Sequence, residues 1–284
     1  MTLSAARATL PIILQYFRET DDGAPPFINA TDDEAHCDTK RANWRFEMRF
    51  VAIEDARGSE HAYSLDVHGF QFAYRPARHT RFDDDADIAR EYYPEMADFV
   101  KSVTGAVGVV VFDHTIRCRD PHGHVSPTIH PRQPVYQVHV DQTPKSAVIR
   151  LRTALPHLAD QLMKRRFQIL NLWRPIENAA VDWPLALCDA RTVDVAKELV
   201  PVRMVCPEGR AGETFSVRHG KGHRWHFLRG MTPEECVIFK CFDSIDDGSV
   251  ARFTPHSAFA DPTAPDDAPY RQSIELRVLV FYDR

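Results

Sequence analysis

No stretch of this chain reaches the roughly 18 consecutive apolar residues that a membrane-crossing helix requires. It also lacks any CxxC pair. Its six cysteines stand far apart, at 37, 118, 188, 206, 236 and 241, which argues against a thiolate zinc site. Reduced, buried thiols in a cytoplasmic protein are the expected state. There is no excess of basic charge: the formal net charge is −5. Lys and Arg are scattered among acids, which reads as solvated surface and excludes a nucleic-acid footprint. Residues 1–17 hold only a brief apolar run at 10–14, broken by Pro11, with no clear cleavage site, so no signal peptide is expected. No repeat and no low-complexity linker interrupts the 284 residues, which fit one domain of ordinary globular composition, 44% hydrophobic and 26% charged.

What is present is a pattern of short strands with few helices. Residues 41–53, with Trp44, Phe46, Met48 and Phe50 alternating, predict a strand, and 63–74 a second one carrying His68 and Gly69. Asp83, Asp84 and Asp85 suit the N-terminus of a helix, and 94–104 has helical spacing at Met96, Phe99, Val100 and Val103. A buried strand at 107–112 leads into a Pro/His-rich loop at 120–134. A basic helix is expected at 144–166, then strands at 167–173, 185–189, 214–219, 223–227, 236–242 and 273–282. This density predicts an α+β, mainly β chain built as a barrel or sandwich, whose mouth can gather inward side chains. We expect a single domain over 1–284, with 1–105 packing on a core at 106–284 and the 144–166 helix inserted.

The densest chemical signal is 135–141, Val-Tyr-Gln-Val-His-Val-Asp. Alternation makes it a half-buried strand, and side chains two apart share a face. His139 and Asp141 then supply one imidazole and one carboxylate of the 2-His-1-carboxylate triad that holds non-haem Fe(II). The second imidazole must come later, from His219, His223, His226 or His256. His256 is preferred because Arg271 and Ser273 follow it, two apart at the start of the last strand. A guanidinium and a hydroxyl on one face can grip the far carboxylate of 2-oxoglutarate, the keto-acid that such oxygenases chelate to iron. Arg277 shares that face and is the rival for this role. A lone His-x-Asp pair is a weak signal, since chance produces it often; the ordered set His-x-Asp, His, Arg-x-Ser is far more specific.

In its motifs the chain resembles the AsaB/CmcJ-like hydroxylase/desaturase family of natural-product biosynthesis. The resemblance rests on His68-Gly69-Phe70-Gln71, Tyr92-Tyr93-Pro94-Glu95, Asp113-His114-Thr115, His139-Val140-Asp141-Gln142, Asn171-Leu172-Trp173-Arg174-Pro175, Asp182-Trp183-Pro184, Phe239-Lys240-Cys241-Phe242, His256-Ser257-Ala258-Phe259 and Ser273-Ile274-Glu275. It implies a double-stranded β-helix (jelly-roll, cupin-like) core with flanking helices. It also implies Fe(II), 2-oxoglutarate and O2 as cofactors. The reaction implied is hydroxylation, desaturation or oxidative ring closure of a small molecule. From composition and hydropathy we expect a cytoplasmic protein without nucleic-acid or membrane partners, as a monomer or homodimer.

Several further residues have both a functional and a structural role open to them. Asn171 and Arg174 are candidates for binding the keto-acid or substrate, against a strand-end Arg paired with a structural carboxylate. His114 and Arg117 can line the mouth or merely end a strand. Lys240 can pair with Asp243 or face the pocket, and Gln137 can support His139. Two other functions compete: a cupin-like metal enzyme that does not use 2-oxoglutarate, and a non-catalytic small-molecule-binding barrel. Neither needs an Arg-x-Ser clamp.

Overall fold

A computed structural model describes residues 9–29, 42–120, 132–205 and 211–283. Cys37, Cys206, residues 1–8 and positions 121–131 of the expected Pro/His-rich loop lie outside the described residues. The strands are β1 (Thr9–Thr20), β2 (Phe27–Asn29), β3 (Trp44–Asp55), β4 (Phe70–Tyr74), β5 (Gly108–Cys118), β6 (His139–Val140) and β7 (Phe167–Ile176), followed by β8 (Leu185–Cys188), β9 (Leu199–Val205), β10 (Ala211–Val217), β11 (Trp225–Phe227), β12 (Glu235–Asp243), β13 (His256–Ala258) and β14 (Gln272–Phe281). They form a nine-stranded sheet, ordered β1-β3-β11-β8-β13-β6-β10-β9-β2, and a five-stranded sheet, ordered β4-β12-β7-β14-β5. The fold is thus mainly β, two sheets closing on each other as a jelly roll. Residues before 105 supply β1, β2 and β3 to one sheet and β4 to the other.

The two faces of the small sheet explain its sequence. In β14, Ile274, Leu276, Val278 and Val280 pack outward with Leu170, Leu172 and Ile176 of β7 against Tyr92, Met96 and Val100. The helix Tyr93–Thr104 that carries the last two begins with Pro94 in its first turn and ends at Gly105, in the left-handed region at φ 66. The alternate residues face inward. Ile169, Trp173, Val237, Phe239, Leu279 and Phe281 meet Leu14, Tyr16, Ile53, Leu187 and Trp225 of the large sheet in one apolar layer. Each fully buried side chain of this size contributes about 1.5–3 kcal/mol. At one end of β14 the inward positions turn polar: Ser273, Glu275 and Arg277. A buried polar row inside an apolar layer is costly unless its groups find partners.

Three expectations need correction, and one run left unassigned joins a strand. Residues 63–74 are not one strand: Leu65–His68 is a helical turn, stopped by Gly69 at φ 88, and only Phe70–Tyr74 pairs. The 144–166 helix is two, Pro144–Ala154 and Ala159–Leu162, because Pro156 cannot continue the first. The short run at 10–14 belongs to the twelve-residue strand β1. Pro11 is tolerated there because β1 is an edge strand. Finally, 135–141 forms ladder pairs only at His139–Val140. The alternation survives all the same: Val138 and Val140 are fully buried while His139 and Asp141 face the other way. The acidic run does cap a helix, with Asp84 accepting from the Asp87 backbone N–H.

Candidate active site

His139 lies on β6 and His256 on β13, and the two are register partners. Asp141 follows two residues after His139. His139 Nε2 is 3.4 Å from Asp141 Oδ1, and His256 Nε2 is 4.0 Å from the same oxygen. Among the described residues these three form the group whose ligand atoms converge, all within 4.8 Å of one another. Each ring is oriented in the same way. His139 Nδ1–H donates to Gln137 O (2.7 Å) and His256 Nδ1–H to Thr254 O (3.0 Å). A carbonyl only accepts, so Nδ1 carries a proton, and in the neutral ring Nε2 is the nitrogen that presents a lone pair. Burial, reinforced by the neighbouring His139, pushes the His256 pKa down to about 3, which keeps its ring neutral.

The second oxygen of Asp141 is held from the small sheet. Asn171 Nδ2 donates to Oδ2 at 2.8 Å, and Arg277 Nε at 3.2 Å. Burial alone would raise the Asp141 pKa, but the Arg277 charge and the two histidines outweigh it and hold the carboxyl well below its usual range. Arg277 is itself fully engaged: Nη1 bonds Asp113 and Thr115, and Nη2 bonds Glu275 at 2.7 Å. Two imidazole Nε2 atoms and one ionised carboxylate oxygen facing a common point suit a facial Fe(II) site.

Beside this triad is a cavity walled by Arg117, Trp173, Arg271 and Glu275 as well as His139 and His256. Arg271 is almost completely buried, with its guanidinium over the Trp173 ring at 5.5 Å. Its Nη1 donates to Trp183 O at 2.8 Å, but Nε has no partner, and neither does Ser273 Oγ or Asn171 Oδ1. Burial, with the Arg117 charge next in size, pushes the Arg271 pKa down to about 9, still charged at neutral pH. A bound carboxylate would satisfy the two orphaned donors, Arg271 Nε and Ser273 Oγ, and that charge, so the residues fit a keto-diacid; Asn171 Oδ1, an acceptor, is not served by it.

Other candidates fall elsewhere. Arg174 is on the outer face of β7, bonded to Pro233 O and Arg75 O beside Met96 and Tyr92, so its expected place at the cofactor is corrected. The reason is period: three apart on one strand, Arg174 and Asn171 cannot share a face. Asn171 meets Asp141 directly. His223 is paired with Glu198 and Tyr16, His219 lies edge-on to Tyr16, and His226 bonds Tyr63. His114 pairs with Tyr93 and Asp85. Lys240 points outward to Asp66 and Asp243. Gln137 supports His139 through its backbone, while its side chain bonds Ser216. Sequence reasoning underrated Arg117, Trp173 and Glu275. For the last the signal was there, in the alternation of Ser273, Glu275 and Arg277 with apolar residues.

Comparison with known proteins agrees with this geometry. A family model described as "Oxidoreductase/YMDC permease-like domain" matches residues 14–281. No helix among the described residues is long and apolar enough to cross a membrane. The chain is similar to the hydroxylase/desaturase efuI of Hormonema carpetanum, 32% identical over 100% of this chain and 98% of that protein. It is similar to the Fe(II)/2-oxoglutarate-dependent dioxygenase nvfI of Aspergillus novofumigatus, 32% identical over 86% of this chain and 87% of the other. The solved structure of the iron and alpha-ketoglutarate-dependent endoperoxidase NvfI superposes with a TM-score of 0.84 at 28% identity, covering 97% of this chain and 99% of that one. The chain belongs to this hydroxylase/desaturase family of iron- and 2-oxoglutarate-dependent oxygenases.

Proposed function

We propose that His139, Asp141 and His256 hold Fe(II), that Arg271 and Ser273 seat the far carboxylate of 2-oxoglutarate, and that the protein oxidises a small natural-product intermediate by hydroxylation, desaturation or oxidative ring closure. Its setting is the cytoplasm, as a monomer or homodimer. The reading is carried by one observation: two imidazole Nε2 atoms and one carboxylate oxygen converge beside a buried guanidinium that bonds no carboxylate among the described residues. The free thiols Cys118, Cys188, Cys236 and Cys241 accord with a reducing compartment.

When bound, iron and 2-oxoglutarate supply the oxidising power, with O2 consumed and succinate and CO2 released. The chain's own work is positioning. The Nδ1 bonds to Gln137 and Thr254 keep both rings in the tautomer a metal needs. Asn171 and Arg277 occupy Asp141 Oδ2 and so leave Oδ1 for the metal. Trp173 gives Arg271 a flat apolar floor that screens it from water and fixes the plane of its fork. The test is an anaerobic titration of Fe(II)-loaded protein with 2-oxoglutarate, followed in the visible. A saturable charge-transfer band is expected. Iron uptake without that band would favour the cupin-like enzyme, and no stoichiometric iron uptake would favour the binding barrel.

A further inference from the structure

The last strand places Ser273 directly opposite Arg117 of β5. Arg271 is two residues away on the same chain, and both guanidinium groups line the cavity that holds His139 and His256. Among the described residues neither guanidinium makes a hydrogen bond to an acidic side chain; Arg271 meets Asp182 only through its backbone N–H. Arg117 Nη1 donates to Gln133 O at 2.9 Å and Arg271 Nη1 to Trp183 O at 2.8 Å, both neutral acceptors. The acid nearest to them in the cavity wall, Glu275, gives its Oε1 to Arg277. Two cations thus face one space with no carboxylate of the described residues hydrogen-bonded to either guanidinium.

We propose that Arg117 is a second guanidinium for the far carboxylate of 2-oxoglutarate, closing on it from β5 while Arg271 and Ser273 hold it from β14. A carboxylate has about four acceptor sites, more than one fork and one hydroxyl use up. Arg117 is aimed at the position that Ser273 serves because the two are cross-strand neighbours, and such neighbours contact the same point above a sheet. Repulsion between the two cations fits as well: burial lowers the Arg271 pKa, and the Arg117 charge is the next cause that lowers it. A shared anion removes that repulsion. The inference rests on the proposed iron and 2-oxoglutarate site, but adds a residue outside the Arg-x-Ser pair.

The test compares two keto-acids on anaerobic Fe(II)-loaded protein: 2-oxoglutarate, and 2-oxopentanoate, which chelates identically but has no far carboxylate. Arg117→Met should weaken 2-oxoglutarate binding by about 10- to 100-fold, the loss of a charge-assisted hydrogen-bond pair, and leave 2-oxopentanoate unchanged. Arg117→Gln should show the same pattern and guards against a packing effect of Met. Iron stoichiometry and thermal unfolding report on folding of both variants. The effects of Arg117→Met and Arg271→Met should be non-additive, because both act on one carboxylate. Unchanged 2-oxoglutarate affinity in both Arg117 variants overturns the proposal, and so does equal weakening of both acids. A wild type that binds iron yet does not discriminate between the acids refutes the underlying 2-oxoglutarate reading instead.

Discussion

His139 and His256 face each other across antiparallel strands β6 and β13, with ring centroids 4.3 Å apart. Residues directly opposite on paired strands project to one side at short range, so this pairing needs no loop to complete it. Asp141 joins by the strand period alone. The site is therefore held by sheet register, and each imidazole is locked by the carbonyl two residues before it.

His139→Ala and His256→Ala should each lower bound iron from one equivalent to background, with turnover lost and far-UV circular dichroism unchanged. Metal analysis after anaerobic gel filtration measures this. Wild-type iron content in either folded variant would remove that residue from the ligand set.

Asn171→Ala should weaken iron binding by about 10- to 100-fold, the usual cost of losing a group that orients a metal ligand. Arg277 remains on Asp141 Oδ2, so binding is weakened and not abolished. Competition against a chelator gives the affinity. An unaltered value would mean Arg277 alone orients the carboxylate. Asn171→Asp sets a second carboxylate against the first, so its iron affinity should also become more pH-dependent.

His139, Asp141 and His256 were legible because two of them obey a strand period and the third precedes an Arg-x-Ser pair. Arg174 was misread because β7 is buried on both faces, so hydrophobicity does not reveal which residues point in. Only its spacing from Asn171 carried that information. Arg117 was underrated for a different reason: its position opposite Ser273 depends on the pairing of strands far apart in sequence, which no local pattern encodes. The break at Pro156 and the turn at Gly69 were readable from residue type, and were overridden by longer hydrophobic patterns.

Lys240 is fully buried on the outer side of β12, donating to Asp66 and Asp243. Lys240→Met leaves Asp243 with Arg166 and Gln168 and should cost about 3 kcal/mol at neutral pH, the lower end for removing one partner of a buried pair. Burial would raise the Asp243 pKa, but the Arg166 hydrogen bond and the Lys240 charge prevail and hold it below the usual carboxylate range. A depressed carboxyl stabilises the fold above its unfolded pKa, and that contribution is lost as pH falls through the folded value. The gap between wild type and Lys240→Met should therefore narrow below about pH 4. Urea unfolding at pH 7 and pH 3.5, both approximate set-points on either side of that range, measures it. A gap that widens in acid would show that the pair is not ionic.

Gly69 links the edge of the sheet to the proposed iron site. Its φ is 88, and a Cβ there would lie 2.4 Å from Thr254 Oγ1. Thr254 Oγ1 donates to Gly69 O at 2.7 Å, and the carbonyl of Thr254 accepts from His256 Nδ1. Gly69→Ala adds left-handed strain to the clash, about 2–4 kcal/mol together. Relieving the clash displaces the Thr254 hydroxyl from Gly69 O, and so loosens the residue whose carbonyl fixes the His256 ring. Gly69→Ala should thus lose iron affinity beyond what its stability loss explains, whereas Lys240→Met, destabilised to a similar degree but keeping the backbone bonds of residue 240 to Gly69 and Thr254, should keep it. Equal iron affinities in the two variants, measured by chelator competition on folded protein, would show that His256 does not depend on Thr254 for its orientation.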